Sequence, residues 1–166
     1  MGLLGLLSGG STAPELVGDT WFNRDELPPA AREAVAAGKP VRLGHEIKQT
    51  TVVNFWSYEC LECGDLIPTL REWWQELQSR GVFVIGVHTP TYESESRKEN
   101  VQSAVLRFGM TYPVLSDPGL ANWRAWKARV RPQLFLVTDH GRIKKKIGNM
   151  DKLAQFESSV RRLVNN

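Results

Sequence analysis

Cys60 and Cys63 are the only cysteines of this 166-residue chain, and two residues separate them. Two thiols at this spacing suit three kinds of chemistry: half of a zinc site, a structural pair of thiols, or a reversible disulfide. A structural zinc site needs four ligands, and the histidines, which are His45, His88 and His140, are scattered without paired spacing. Two cysteines also exclude the disulfide-rich class of small secreted domains, because one bridge is not a framework.

The residues around the cysteines favour the reversible disulfide. Cys60 follows TVVNFW at 51–56, a β-branched and aromatic run typical of a buried strand, and a helix is predicted to begin beside it. Backbone N–H groups and the dipole at a helix start stabilise an anion, and the thiolate is the form that attacks a disulfide. We therefore predict Cys60 as the nucleophile and Cys63, one helical turn further on, as the resolving thiol. Zinc and a structural pair remain as alternatives.

A βαβ unit is predicted to position this pair. Apolar residues at helical spacing over 66–80 predict a helix that ends at Gly81. The apolar run VFVIGV at 82–87 then predicts a strand that is covered on both faces. A strand, a helix and a strand in this order give two parallel strands with a right-handed crossover.

The remaining segments complete one α/β domain, which we expect to cover residues 13–166 after a flexible segment at 1–12. The sequence predicts further strands at 20–22, 111–115, 133–138 and 142–147, and helices at 28–37, 94–108 and 120–128. A last helix is predicted to be capped by Asp151.

Composition and charge restrict the classes of partner. Hydrophobic residues make up 42% and charged residues 23% of the chain, which excludes the disordered and fibrous classes. Residues 1–123 carry 10 Lys/Arg and 15 Asp/Glu, whereas residues 124–166 carry 11 and 3. Such a split can indicate nucleic-acid binding. However, the lysines at 144–146 alternate across a predicted strand, so we expect a solvated basic face and no nucleic-acid partner.

The first residues give an expectation about localisation. The segment MGLLGLLSGG lacks the basic region of a secretory signal, and its apolar run is short and broken by Gly5. We expect a cytoplasmic protein, or an extracytoplasmic one if the natural chain starts before residue 1. No apolar run approaches the roughly 18 residues of a membrane span, and we expect a monomer without a transmembrane segment.

Several motifs resemble those of the thioredoxin superfamily, and more closely those of its TlpA/DipZ-type disulfide reductases. The end of the strand, NFW at 54–56, matches the family's Phe-Trp step before the cysteines. Pro68 matches the proline that kinks the active-site helix, and Pro132 stands where the family has a cis-proline packed against the disulfide. The segments APEL at 13–16 and GVHTP at 86–90 match the DipZ-type branch.

The resemblance implies a thioredoxin-like three-layer α/β/α sandwich with a central mixed sheet and a TlpA-type insertion, which we place at 82–108. It implies a thiol–disulfide oxidoreductase with Cys60, Cys63 and Pro132 at its site. It also implies no metal and no cofactor besides the Cys60–Cys63 disulfide, disulfide-containing protein substrates, and a reducing partner protein. The supporting residues are expected to be Trp56, Glu59, Glu62, Pro68, Arg131 and His88.

Acidic residues near the thiols set this chain apart from the family pattern. Glu59, Glu62 and Asp65 place like charge beside a thiolate, which disfavours it. Each exposed charge is worth about 1 kcal/mol or less, and their sum could offset the helix dipole. A less stable thiolate makes the reduced form a stronger reductant, so we predict a reductase. The buried acid that assists proton transfer in thioredoxin maps to Asn54, which cannot titrate.

Three of the supporting residues have specific expectations. By the resemblance, Arg131 faces the disulfide, where it could pair with Glu59 or Glu62 or bind an acidic partner surface. His88 ends a strand parallel to 51–56, and should therefore share the sheet edge that carries Cys60. Trp56 is expected to shield the disulfide.

The sequence is also compatible with two other functions. Ser57-x-x-Cys60 imitates the T-x-x-C of a peroxiredoxin-like thiol peroxidase, with Cys60 as the peroxidatic cysteine, although the preceding proline of that motif is missing. A non-catalytic binding module would instead use the basic C-terminal face.

Overall fold

The computed structural model describes residues 10–165 of the chain. The strands are β1 (Trp21–Phe22), β2 (Thr50–Trp56), β3 (Val82–His88), β4 (Val114–Ser116), β5 (Gln133–Val137) and β6 (Ile143–Ile147). The helices are α1 (Pro29–Ala36), α2 (Leu61–Leu77), α3 (Lys98–Arg107), α4 (Ala121–Ala125) and α5 (Leu153–Val164). The strands form one mixed sheet in the order β1-β4-β3-β2-β5-β6.

The two longest strands, β2 and β3, lie side by side in the middle of this sheet. They run parallel, from Thr50 opposite Val82 to Trp56 opposite His88. β4 pairs with β3 in parallel, whereas β5 pairs with β2, β6 with β5 and β1 with β4 in antiparallel fashion. The structure therefore contains the predicted βαβ unit, and the predicted strands at 133–138 and 142–147 pair as a hairpin. Because β2 and β3 end at the same edge, the residues after them meet there.

Helices cover both faces of the sheet. All residues of β2 and β3 are buried, which explains why both strands are apolar runs instead of alternating patterns. Neighbouring side chains of β2 point to opposite faces. Phe55 packs against Trp126, just after α4, with ring centroids 5.9 Å apart, and Trp56 packs against Phe108, just after α3, at 6.2 Å. This is the layered arrangement that the sequence predicts.

Helix α2 begins directly after Cys60, as predicted for the nucleophile, and therefore earlier than the apolar stripe at 66–80. Its first turn, LECGD at 61–65, has no apolar stripe because it lies at the surface, and Leu61 is 87% exposed. The later turns bury an apolar face against α5, where the rings of Trp73 and Phe156 stack at 6.1 Å. The first turn thus exposes Leu61 and Glu62 while Cys63 is buried, and the rest of the helix is anchored in the core.

The TlpA-type insertion, which we predicted at 82–108, does not begin at residue 82. The first part of that range is β3, which is a central strand of the sheet. The elements that extend the sheet beyond β3 are β4, preceded by α3, and then β1. Periodicity could not show this, because β3 and an added strand are both apolar runs.

Two details at the ends of the domain also differ from expectation. Asn149 caps the turn before α5 by accepting the N–H of Asp151 at 2.9 Å, so Asp151 is not the cap. Most of the segment predicted to be flexible, residues 1–9, lies outside the described residues. Ser11 and Thr12, which we assigned to it, pair with residues 142–143 next to β6. Among residues 10–165, no helix is both long enough and apolar enough to cross a membrane.

Candidate active site

The two cysteines form a disulfide at the start of α2. Cys60 is the N-terminal capping residue of this helix, and its Sγ accepts the backbone N–H of Cys63 at 3.2 Å. The Cα atoms are 5.2 Å apart. Cys63 is fully buried, whereas Cys60 is only half-buried. A thiolate at Cys60 would keep the hydrogen bond from the Cys63 N–H and the favourable end of the helix dipole. It would also be accessible from solvent to a substrate disulfide.

The loop before β5 lies directly against Cys60. The Arg131–Pro132 peptide bond is cis, and Pro132 is buried. The carbonyl oxygen of Arg131 lies 3.5 Å from the Sγ of Cys60. The chain thus places Cys60, Cys63 and Pro132 together although about 70 residues separate the cysteines from the proline.

The side chain of Arg131 does not form the ion pair with Glu59 or Glu62 that we considered. It pairs with neither Glu59 nor Glu62, and it does not extend into solvent. Its Nε donates to the carbonyl oxygen and to Oγ1 of Thr89, both at 2.9 Å, and Nη2 donates to the carbonyl oxygen of Pro90 at 3.2 Å. The guanidinium also lies 4.0 Å from the ring centroid of Trp123. The reason is that the carbonyl groups at 89–90 and this aromatic face are pre-placed acceptors, whereas the glutamates are in water.

His88 lies at the same sheet edge as the disulfide, as its position at the end of β3 predicts. It is fully buried, and Tyr58 donates its backbone N–H to the Nε2 of His88 at 3.3 Å. The Tyr58 ring stacks on the imidazole at 5.4 Å between centroids. Burial lowers the pKa of His88, although the neighbouring Glu95 opposes this effect. His88 therefore supports the turn before Cys60 by accepting the backbone N–H of Tyr58.

Glu95 is the residue of this site that we did not predict. It is fully buried, and its Oε2 lies 3.6 Å from the Nε2 of His88. The Ser57 hydroxyl donates to the same oxygen. Burial alone would raise the pKa of Glu95, but His88, Ser57 and the backbone N–H groups at 91–92 lower it to about 2. The only sequence signal is a glutamate three residues after Tyr92 at the start of a short turn, which is a weak capping pattern.

The other predicted supporting residues occupy different layers. Trp56 is fully buried, and its ring packs edge-on against His88 with centroids 4.8 Å apart. It therefore supports the site through His88. Asn54 is also buried on this strand. Pro68 lies inside α2, where it removes the hydrogen bond to the carbonyl of Gly64.

The surface around the disulfide combines acidic and apolar side chains. Glu59 and Glu62 are exposed, and neither forms an ion pair with any residue between 10 and 165. Beside α2, a cleft of about 390 Å³ is lined in part by Glu62, Asp65 and Asp151. Leu61 follows Cys60 in the chain, and Val130 lies in the loop that faces it. Both side chains are exposed, and Val130 is 44% exposed.

Four of the basic C-terminal residues lie away from the disulfide. Lys127 and the lysines at 144–146 line a separate cleft of about 560 Å³, together with residues 10–12. This cleft includes neither cysteine. Within the described part of the chain, no group of three or more His, Cys, Asp and Glu side chains could hold a metal ion.

Comparison with known proteins identifies the family. The profile described as the AhpC/TSA family matches residues 24–146. The chain belongs to the AhpC/TSA family. Protein DipZ of Mycobacterium tuberculosis is 32% identical over 156 residues, which cover 93% of this chain but 21% of DipZ. The thiol-disulfide oxidoreductase ResA of Halalkalibacterium halodurans is 29% identical over 65% of this chain and 58% of ResA. The chain therefore spans about a fifth of DipZ.

A solved structure of the thioredoxin family, a thiol:disulfide interchange protein from Chlorobium tepidum, shows the same fold. It has a TM-score of 0.67 and 22% identity, and the match covers 95% of this chain and 98% of the other. These comparisons confirm the thioredoxin-like fold and the resemblance to TlpA/DipZ-type proteins.

One feature of this AhpC/TSA chain argues against a thiol peroxidase. In the Ser57-x-x-Cys60 pattern, the serine imitates the threonine of the peroxidatic motif. Ser57 is 1% exposed, and its hydroxyl donates to the buried Glu95. This hydroxyl is therefore already bonded away from solvent and is not offered to a peroxide at Cys60.

Proposed function

We propose that this chain is a thiol–disulfide oxidoreductase domain that reduces protein disulfides through Cys60 and Cys63. The observation that carries the proposal is the CxxC disulfide at the start of α2, against which the Pro132 loop packs. The names of the relatives support it, since ResA is named a thiol-disulfide oxidoreductase.

The reaction requires two exchange steps. In the first, the Cys60 thiolate attacks one sulfur of the client disulfide, that S–S bond breaks, and the departing client thiolate takes up a proton. In the second, Cys63 loses its proton and attacks the Sγ of Cys60. The mixed disulfide breaks, the second client thiol leaves, and the Cys60–Cys63 disulfide forms. The client gains two electrons, and the dithiol of a reducing partner protein returns them to this chain by the reverse exchange.

The charges around Cys60 support reduction as the direction. Glu59 and Glu62 are exposed beside the thiol, and the Arg131 guanidinium is bound to the backbone at 89–90 instead of facing them. The helix dipole is then opposed by the charges of Glu59 and Glu62, which form no ion pair with any residue in the described part of the chain. A less stable thiolate gives up electrons more readily, as a reductase requires.

The same surface suggests the kind of client. Leu61 is 87% exposed next to Cys60, and Glu62, Asp65 and Asp151 line the adjacent cleft. We infer that clients present their disulfide in an extended segment with an apolar side chain and nearby basic residues. Such charge complementarity raises association rates and suppresses acidic partners. The disulfide is the only redox group that this reaction needs.

Trapping with Cys63→Ser tests the proposal. Without the resolving thiol, Cys60 should hold mixed disulfides with client proteins, and these should disappear after dithiothreitol treatment. The matched control is Cys60→Ser, which should trap nothing, and the Cys60→Ser, Cys63→Ser double variant sets the background. Insulin reduction and peroxide consumption are measured beside the trapping. Faster turnover of peroxide than of disulfides, or no adduct with Cys63→Ser, would overturn the proposal.

A further inference from the structure

Glu95 joins three backbone segments beneath the disulfide. On one side, its Oε2 accepts the Ser57 hydroxyl and, in a long contact of 3.5 Å, the backbone N–H of Glu59. On the other side, its Oε1 accepts the N–H groups of Thr91 and Tyr92 at 3.0 and 3.1 Å. The third segment is the end of β3 with His88. A fully buried carboxylate with this many donors is held in one position.

The segment that Glu95 holds is also held from the opposite side. Arg131 binds the carbonyl groups of Thr89 and Pro90, while Glu95 binds the N–H groups of the next two residues. Since the Arg131 carbonyl lies against Cys60, the 89–92 segment links the turn before Cys60 to the Pro132 loop. Arg131 and Glu95 thus fix the turn before Cys60 and the Pro132 loop relative to each other.

The turn that Glu95 fixes leads directly into Cys60. The N–H of Cys60 donates to the carbonyl oxygen of Ser57 at 3.2 Å, and Glu95 contacts the residues at both ends of the stretch 57–59. Movement of the carboxylate would therefore change the position of Cys60 at the helix start. Its negative charge also lies 3.5 Å from the backbone nitrogen of Glu59, the residue directly before the nucleophile.

We propose that Glu95 is a positioning residue for thiol–disulfide exchange, whose carboxylate fixes the 57–59 turn and makes the Cys60 thiolate less stable than the helix start alone would. This inference rests on the proposed function and names a residue that controls its nucleophile. Glu95 does not contact the sulfur and acts through the turn and through its charge. The titratable and charged groups around Cys60 are Glu59 and Glu62 on its own turn and helix, Arg131 in the facing loop, and Tyr58, His88 and Glu95.

The test is the pH dependence of Cys60 alkylation by iodoacetamide in the Cys63→Ser background, where one thiol reacts. Glu95→Gln keeps the shape and removes the charge, so the midpoint of the alkylation profile should fall by about one pH unit. Glu95→Asp keeps the charge and should restore a midpoint close to that of the parent. The matched control is Glu93→Gln, an exposed neighbour, which should leave the midpoint unchanged.

A second variant gives the opposite sign and decides the matter if Glu95→Gln does not fold. Ser57→Ala removes one donor to the carboxylate and leaves its charge less compensated, so the alkylation midpoint should rise. Folding is checked by thermal unfolding of each variant. A folded Glu95→Gln protein with an unchanged midpoint, or a Ser57→Ala midpoint that stays or falls, would overturn the inference. A purely structural role would lower the unfolding temperature without moving the midpoint.

The readout separates this inference from the proposed function. If the wild-type chain reduces no disulfide, the proposed function fails. The role of Glu95 is judged by the alkylation midpoint, which requires no client.

Discussion

Replacing Glu95 by Gln should make the stability of the domain less sensitive to acid. In the folded chain burial acts to raise the pKa of Glu95, but the contact with His88 and the hydrogen bonds from Ser57 and from the backbone N–H groups at 91–92 lower it from 4.5 to about 2. The folded state therefore holds the carboxylate ionised more strongly than the unfolded state does. The linked stability is fully present above the unfolded pKa and is lost as pH falls through 4.5 towards 2.

The size of the effect follows from the difference between the two pKa values. About 2.5 pKa units correspond to about 3 kcal/mol of unfolding free energy at neutral pH. About 2 kcal/mol of this should be lost by pH 3, where the unfolded carboxyl is protonated and the folded one is not. The wild type should thus exceed Glu95→Gln by up to about 3 kcal/mol at pH 7, and the gap should narrow steadily below pH 4.5.

Urea unfolding followed by tryptophan fluorescence, repeated between pH 7 and pH 3, measures this gap. Glu93→Gln, at an exposed neighbouring position, should follow the wild type at every pH. His88 also contributes acid sensitivity, because burial lowers its pKa and the linked stability is lost as pH falls below its ordinary 6.5. That loss begins above pH 4.5, before the loss linked to Glu95. Parallel stability curves for wild type and Glu95→Gln would refute the reasoning.

Three further outcomes are expected. Arg131→Met should cost about 2 kcal/mol in urea unfolding, because two hydrogen bonds to the 89–90 backbone and one to the Thr89 hydroxyl are lost while the apolar stem remains; an unchanged midpoint would mean that water replaces the guanidinium at no cost. Trp73→Ala should cost about 3–5 kcal/mol, because a fully buried ring stacked on α5 is removed. Glu62→Lys should slow reduction of a lysine-flanked peptide disulfide about threefold at low salt. This difference should vanish at high ionic strength, and a salt-independent difference would contradict the electrostatic explanation.

The parts of the fold that sequence reasoning predicts are those with local causes. The apolar runs of β2 and β3, the turn between β5 and β6, and the order strand–helix–strand each follow from nearby residues. The start of α2 could not be predicted from periodicity, because its first turn faces solvent at the site. The predicted position of the inserted strand was wrong for a different reason, since strand order depends on long-range pairing that an apolar run does not encode.

The candidate site shows the same division. Cys60 and Cys63 follow from their spacing and from the strand before them, and the contact with Pro132 follows from a family resemblance. Glu95 lies 35 residues after Cys60 in a segment of polar letters, where nothing local distinguishes it from the exposed Glu93. The two glutamates differ only through the donors that the fold brings to one of them.

The direction of electron flow depends on where the one nearby guanidinium goes. From sequence alone, Arg131 beside Pro132 could neutralise Glu59 or Glu62 and leave the helix dipole to stabilise the thiolate. In the structure its Nε and Nη2 donate to the carbonyl groups of Thr89 and Pro90, and the buried Glu95 adds another negative charge near the same turn. Arg131 is thus bound to the backbone, while Glu59 and Glu62 remain near the sulfur. This arrangement lowers the stability of the Cys60 thiolate, which is the property that a reductant needs.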